Sequence, residues 1–295
     1  RVFYAALGDG SVACVNARTG DPIWRVPLFR AGINATTIVH NNDKLIAIFG
    51  VPYEPGQLIA LKLPDAEPTN AAAGPLVLER EKLQLWAAEV STSTSSPILV
   101  GDMIYVVAEK GDLCAVDANT GVIKWKLKLG IEQRNSCPFY ADGKLYVPML
   151  DDPAGKGTGE GAEAGSKGAL YIIKPGDQPE ILQHVELEGR CFGTPVAYNG
   201  KLYLQTTKHL YCWGKKGNSL SLPKGIAAEK TPNAGAGKSL QIIPSEITLR
   251  PGQSASFHGR SIDASGFIVE DIKDMKTLSW TNFIPPTARV KSTMN

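Results

Sequence analysis

"GDLCAVDANTGVIKWKL", residues 111–127, has a second copy in the same chain. Residues 10–26 read "GSVACVNARTGDPIWRV", with the same apolar run, Thr-Gly pair and tryptophan four residues after the glycine. The shared positions are Thr19, Gly20 and Trp24 in one copy and Thr120, Gly121 and Trp125 in the other. Internal repetition on this scale is typical of folds built from stacked copies of one small unit.

Weaker copies of the same unit extend the pattern to five. The apolar run begins at Ser11, Gln57, Asp112, Ala169 and His209. A second strand-like run precedes each copy, a third run precedes that in four copies, and a fourth follows the turn in four copies. The apolar run is strand c, and the run directly before it is strand b. Strand a precedes strand b, and strand d follows the turn. Runs b and c are apolar at successive positions, which indicates sheets covered on both faces. Four-stranded antiparallel units repeated in this way predict a β-propeller.

The turn after strand c has a physical interpretation. Asn16 and Asp117 can accept hydrogen bonds from backbone N–H groups two or three residues further on, which closes an Asx turn. Gly20 and Gly121 can adopt a positive φ because they have no Cβ. We therefore expect these residues, with Thr19 and Thr120 and the tryptophans Trp24 and Trp125, to be structural.

The segment "AVDANTGVIKW" resembles the signature Ala-x-Asp-x-x-Thr-Gly-x-x-x-Trp of the pyrroloquinoline-quinone (PQQ) repeat family. The first copy departs from it, with Cys14 for the alanine and Asn16 for the aspartate, and three later copies are degenerate. The resemblance covers residues 1–214. It implies a quinoprotein-like propeller in which each tryptophan packs on the neighbouring blade, a large apolar ring at each junction.

The repeats predict an all-β chain with an incomplete propeller. The first unit lacks strand a and the last lacks strand d, so we expect about 4.5 blades of a propeller of seven or eight. Residues 1–214 are then the C-terminal part of a longer propeller, and residues 215–238 have the composition of a linker. Residues 239–295 resemble a bacterial immunoglobulin-like domain, a β-sandwich, here truncated and with a predicted strand at Trp280.

Composition restricts the function classes. A formal net charge of +2 gives no electrostatic case for nucleic-acid binding. No run of about 18 apolar residues predicts a membrane span. The four histidines are dispersed and form no metal-ligand motif, so we assign no metal site and no catalytic residue. The five cysteines are also dispersed; Cys14 and Cys212 occupy the small position of strand c and are expected to be buried.

Three functions remain open. The resemblance is nearest in character to the propellers of the outer-membrane assembly lipoprotein family, which implies a non-enzymatic binding or assembly scaffold in the cell envelope, periplasmic or extracellular, with protein or envelope partners. The first alternative is a PQQ-dependent alcohol or sugar dehydrogenase. Such enzymes carry an adjacent-cysteine disulfide, calcium ligands and a catalytic aspartate, and no Cys-Cys pair occurs here; we expect no cofactor. The second alternative is an exported carbohydrate-binding protein.

The candidate ligand face is formed by the loops between strands d and a, which share one side of a propeller with the b–c loops. The candidate residues on these loops are Arg30, Asn34, Arg134, Asn135 and Arg190. Arginines converging near a propeller mouth could hold a carboxylate, a phosphate or an anionic sugar bidentately. The alternative is that each arginine is solvated or pairs with Glu132, Glu188 or Asp152 on the same face.

Overall fold

A computed structural model describes residues 2–64, 74–130, 137–151, 167–214, 234–281 and 286–287. The chain divides into two compact units, residues 1–225 and 226–295. The first unit contains five small β-sheets in chain order. We refer to these sheets as blades 1 to 5.

The strands of the first three blades follow the a–d order that the repeats predict. Blade 1 comprises β1 Val2–Ala6, β2 Ser11–Asn16 and β3 Pro22–Pro27. Blade 2 comprises β4 Ile38–His40, β5 Lys44–Ile48, β6 Leu58–Lys62 and β8 Gln84–Ala88. Blade 3 comprises β9 Ile98–Val100, β10 Met103–Val107, β11 Asp112–Asp117 and β12 Ile123–Lys128. The pairing within these three a–d sets is antiparallel throughout.

Blades 4 and 5 continue the pattern. Blade 4 comprises β13 Phe139–Ala141, β14 Lys144–Asp151, β15 Lys167–Lys174 and β16 Glu180–Leu187. Blade 5 has the three strands β17 Val196–Tyr198, β18 Lys201–Gln205 and β19 Leu210–Gly214. The predicted partial propeller is therefore confirmed, while residues 215–233, where a strand d of the last set would follow, lie outside the described residues.

The core lies between the blades. Four hydrophobic clusters each join one blade to the next, and strands b and c supply most of their fully buried side chains. In β5, β6, β10 and β11 four consecutive residues are buried, because one face packs on the preceding blade and the other on the following blade. Stacking in chain order follows from these clusters.

Blade 1 has a fourth strand that the repeats do not predict. The short strand β7, Leu76–Val77, comes from the insertion between strands c and d of blade 2 and pairs in parallel with β3. It is followed by α1, Arg80–Leu83, a single helical turn before β8. The expectation that all blade pairing is antiparallel is wrong at this edge, because a segment from another blade supplies the strand.

Blade 5 corrects a second expectation. Cys212 is exposed, whereas Cys14, at the equivalent position of blade 1, is fully buried. The hydrophobic cluster that involves blade 5 lies on the side facing blade 4, with Leu204, Tyr211 and Trp213. Cys212 alternates with Tyr211 and Trp213 along β19, so its side chain points to the other face, where no described residue forms a core.

The second unit contains a three-stranded antiparallel sheet of β20 Ser239–Ile243, β21 His258–Ile262 and β22 Ile268–Ile272. A 3₁₀ turn, Met275–Thr277, follows. Trp280 was predicted to lie in a strand, but it lies after this turn and its indole N–H is 3.4 Å from the carbonyl oxygen of Met275. The immunoglobulin-like sandwich and the bounds of the linker remain predictions.

Candidate functional site

The two Thr-Gly turns have the same geometry in blades 1 and 3. The side-chain oxygen of Asn16 accepts from the amides of Arg18 and Thr19, at 2.9 and 3.3 Å. Asp117 Oδ1 accepts in the same way from Asn119 and Thr120, both at 3.0 Å. The glycines that close the turns have φ values of +78° and +75°. Both turns therefore have the Asx hydrogen bonds that the spacing predicts.

Strand-d tryptophans join consecutive blades. The indole N–H of Trp86 in blade 2 donates to the carbonyl of Ala118 in blade 3, at 3.2 Å, and its ring lies on Gly121. Trp125 donates in turn to the carbonyl of Gly176 in blade 4, at 2.9 Å. Trp24 is 2% exposed and packs in the cluster between blades 1 and 2. These rings bind the blades to each other, as the family resemblance implies.

A ladder of hydrogen bonds runs across the start of every strand a, which sequence reasoning missed. Thr36 donates its backbone N–H to Ser96 Oγ at 2.9 Å, Ser96 donates to Cys137 Sγ at 3.1 Å, and Cys137 donates to Thr194 Oγ1 at 3.1 Å. The four residues occupy the same position in blades 2 to 5. The available signal was that Ser96, Cys137 and Thr194 each immediately precede a proline and share a small polar or thiol side chain.

Each described d–a loop is also attached to the b–c loop of the following blade. Arg30 forms an ion pair with Glu54 of blade 2, and this partner raises the pKa of the guanidinium. The backbone and hydroxyl of Ser93 donate to Glu109 Oε2 of blade 3, at 3.0 and 2.9 Å. Arg190 and Thr207 exchange two hydrogen bonds at the junction with blade 5. This side of the propeller, the loop face, is therefore a preorganised surface.

The structure places three of the five candidate ligand residues, and each has a protein contact. Arg30 is held by Glu54, and the Asn34 side chain donates to the Ser93 carbonyl at 3.2 Å. The Arg190 guanidinium lies over the ring of Phe192, 5.3 Å from its centroid, and its buried Nε has no hydrogen-bond partner among the described residues. Arg134 and Asn135 lie outside the described residues, so the predicted approach of Arg134 to Arg190 stays a prediction.

The most prominent side chain on the loop face is Tyr53, which is 80% exposed. It lies between Val51 and Glu54, whose backbones form a small antiparallel bridge. At the base of this loop Phe49 packs on Phe29, with ring centroids 5.2 Å apart, and the Arg80 guanidinium covers the Phe49 ring. Tyr53 is thus a large amphipathic side chain on a supported loop, a combination enriched at protein interfaces.

A groove of about 370 Å³ opens beside β1. It is lined by the open edge of that strand, from Tyr4 to Ala6, and by the d–a loop from Ile33 to Thr37. Thr37 Oγ1 donates across it to the carbonyl of Tyr4, at 3.2 Å. The side chains that line the groove are mostly small and none is charged, so the groove has no cationic group to bind an anion.

The opposite side of the propeller has one buried histidine. His40 is 3% exposed, and its Nε2 lies 3.2 Å from both Asn119 Oδ1 and Asp102 Oδ1, across the junction of blades 2 and 3. The groups that contact His40 are polar side chains on two turns. We interpret it as a junction residue.

The resemblance to quinoprotein dehydrogenases raises the question of a metal or thiol centre among the described residues. All five cysteines are free, and burial raises the pKa of Cys14, Cys114 and Cys191 to about 11. In the described residues no three histidine, cysteine, aspartate or glutamate side chains converge as metal ligands. No helix in that part of the chain is both long and apolar enough to cross a membrane. The expectation that the chain binds no cofactor stays a prediction.

Comparison with solved structures shows the fold. The structure of BamB from Moraxella catarrhalis superposes with a TM-score of 0.51 at 17% identity, covering 75% of this chain and 56% of that one. Sqt1 from Saccharomyces cerevisiae gives a TM-score of 0.50 at 11% identity, covering 93% and 69%. At these identities the likeness carries the architecture alone.

Sequence comparison shows the family. A curated relative, the outer membrane protein assembly factor BamB of Burkholderia pseudomallei strain K96243, is 29% identical over 126 residues. The match covers 42% of this chain and 28% of that protein's length. The family model described as outer membrane protein assembly factor BamB matches residues 8–240, which is most of the chain and includes every blade strand from β2 to β19. The chain therefore belongs to this family of PQQ-repeat propellers.

Proposed function

We propose that this chain is a non-enzymatic, protein-binding scaffold of the cell envelope that takes part in the assembly of outer-membrane proteins. The observation that carries the proposal is the family match over residues 8–240. The proposed process, outer-membrane protein assembly, is taken from the relatives' names. The proposed location, periplasmic or extracellular, is taken from their family. The match spans about a quarter of the curated relative's length, so activity and partners are proposed for this chain.

The proposed partner surface is the loop face. Its loops are fixed by the ladder from Thr36 to Thr194 and by the Arg30–Glu54 pair, so binding needs little ordering of the surface. Tyr53 offers an exposed aromatic anchor, and the Arg30–Glu54 pair beside it offers charged groups at the rim. The chemistry favours another protein over a small anion, because Arg30 already has a carboxylate partner.

The direct test is site-specific photo-crosslinking in the native host. A photoreactive amino acid replaces Tyr53 on the loop face or, as the matched control, Val122, which is 52% exposed on the opposite side. We expect adducts with outer-membrane assembly proteins from position 53 and none from position 122, read by mass spectrometry. Equal adducts from both positions, or adducts from position 122 alone, would contradict the proposed surface. Fractionation of the same cells tests the proposed location.

The proposal excludes PQQ as a working cofactor and requires no metal. Its support is chemical: the chain has no adjacent cysteines and the described residues bring no ligand set together. Titration of PQQ with and without Ca²⁺ should give no saturable change in its absorbance. Stoichiometric, calcium-dependent binding would instead favour the dehydrogenase alternative, and saturable binding of an oligosaccharide would favour the carbohydrate-binding alternative.

A further inference from the structure

The outer edges of the blades differ in how they are protected. A strand at the edge of a sheet presents unpaired N–H and C=O groups that can template pairing with another segment. In blade 1 this edge is occupied, because β7 pairs in parallel with β3 at Trp24 and Arg25. The molecule itself thus shows that the outer strand of a blade can accept an extended segment.

In blade 3 the outer edge carries charges that oppose such pairing. Strand β12 alternates, and its three exposed residues are Lys124, Lys126 and Lys128. Lysines on an edge strand are a common device against unwanted pairing, because pairing would desolvate their ammonium groups. The edge of β12 is therefore guarded.

In blade 4 the outer edge is long and lacks the lysines that guard β12. Strand β16 has eight residues, more than β3, β8 or β12, and contains neither lysine nor proline. Ile181 and Leu182 are each 44% exposed on it. Among the described residues it is the last strand of its sheet. Long edge strands with exposed apolar side chains are the kind that add a further strand.

The charges along β16 define what kind of strand would pair with it. Glu180 and Glu186 lie within it, and Asp177 and Glu188 flank it, whereas the strand has no arginine or lysine. Glu186 contacts Lys167 at 3.3 Å, but both side chains are more than 60% exposed, so this pair is weak. Cross-strand partners of opposite charge stabilise a sheet, so a basic segment is complementary.

We propose that β16 is a β-augmentation site at which an extended, basic segment of another protein adds a strand to blade 4. Backbone hydrogen bonds along the edge would supply affinity, and the apolar and acidic side chains of β16 would supply selectivity. This site lies on the outer edge of the propeller and does not depend on the loop face. Its failure would leave the function proposed for that face untouched.

The test uses a fluorescent eight-residue peptide of alternating valine and lysine, titrated against the whole chain and followed by fluorescence anisotropy. Replacing both exposed apolar residues, Ile181→Lys and Leu182→Lys, reproduces the guarded state of β12. We expect this double variant to bind at least about tenfold more weakly. Val122→Lys is the control for a single added lysine, matched to Leu182→Lys and placed at an exposed site on a turn. It should bind as the parent does.

Two further measurements separate pairing from simple charge attraction. The same peptide with an N-methyl group on every residue keeps its lysines but cannot donate backbone hydrogen bonds, and it should not bind. Equal binding of the methylated peptide, or unchanged binding by the double variant, would overturn the proposal. A concentration-dependent dimer that the double variant abolishes would overturn it as well, by showing that a second copy occupies β16. If the double variant does not fold, the single variant Leu182→Lys replaces it in the binding test.

Discussion

Blades 3 and 5 are built from the same repeat but differ in what covers them. In blade 3 strand c contributes Cys114 and Ala115, both fully buried, because blade 2 packs on one face and blade 4 on the other. In blade 5 the residue equivalent to Ala115 is Cys212, and it is exposed. Burial in this fold is therefore set by the neighbouring blade rather than by the residue's own strand, and each junction can be tested separately.

Thiol labelling should give the largest contrast between the two blades. In single-cysteine variants at neutral pH, we expect Cys212 to react with a maleimide at least about 1000-fold faster than Cys114, since Cys114 must be exposed by an opening reaction. Burial raises the pKa of Cys114 to about 11, which lowers its thiolate fraction further. Mass spectrometry of timed aliquots measures both rates. Similar rates would mean that the junction of blades 2 and 3 opens freely.

Removing a junction ring should have the next largest effect. Trp125→Ala deletes a ring that packs near Tyr105 and donates to the Gly176 carbonyl of blade 4. Because the ring is only partly buried, we expect the free energy of unfolding to fall by about 3 kcal/mol, the lower end for large aromatic truncations. Urea denaturation measures it. Trp125→Phe, which loses the N–H but keeps a ring, should cost clearly less; equal losses would assign the effect to the hydrogen bond.

The Thr-Gly turns offer a matched pair of substitutions. Gly121→Ala places a Cβ 2.6 Å from the Trp86 ring, whereas Gly20→Ala at nearly the same φ meets no atom within 4 Å. We expect the Gly20 variant to lose about 1 kcal/mol from backbone strain and the Gly121 variant about 2 kcal/mol or more. The difference between the two urea midpoints isolates the contact between blades 2 and 3. Identical losses would show that the Trp86 ring moves away without cost.

Acid sensitivity should show the smallest effect. Burial alone would raise the pKa of Asp117, but the hydrogen bonds from Thr120 and Asn119 outweigh it and hold the pKa below the usual value. A lowered folded-state pKa gives stability that is present above the unfolded pKa, about 3.9, and is lost as pH falls through the lowered folded value. Asp117→Asn, which copies Asn16 of blade 1, should keep the turn and remove this part of the acid dependence. Denaturation at pH 7 and pH 3 gives the free energy of unfolding that the parent and the variant each lose on acidification. Equal losses would contradict the assignment to Asp117.

The sequence predicted the blades because their repeats are periodic and their turns use side chains with one geometric role. Asn16 and Asp117 could be assigned to Asx turns from spacing alone. The ladder was missed because its members are threonine, serine and cysteine, which share a position but no residue type. Tyr53 was missed because the long b–c loop of blade 2 has no counterpart in the repeats.

Other features depend on contacts that no local pattern encodes. Cys212 was predicted to be buried from its place in strand c, which is correct only where a neighbouring blade covers that face. Arg30 was predicted as a candidate ligand residue, with pairing to a nearby carboxylate as the alternative. Its partner Glu54, 24 residues away on a different loop, was not among the carboxylates considered. Strand β7 has only two residues within an insertion, too short for any periodicity to indicate it.

Strand β7 also affects when the outer edge of blade 1 is covered during synthesis. The described strands b to d of blade 1 end at Pro27, yet the outer edge of this blade is covered only by Leu76 and Val77, about fifty residues later in synthesis. A chain emerging from the ribosome therefore carries blade 1 with an open edge until strand c of blade 2 has also been made. The outer edge of blade 1 is thus closed by a segment that belongs to blade 2, before strand d of blade 2 has been made.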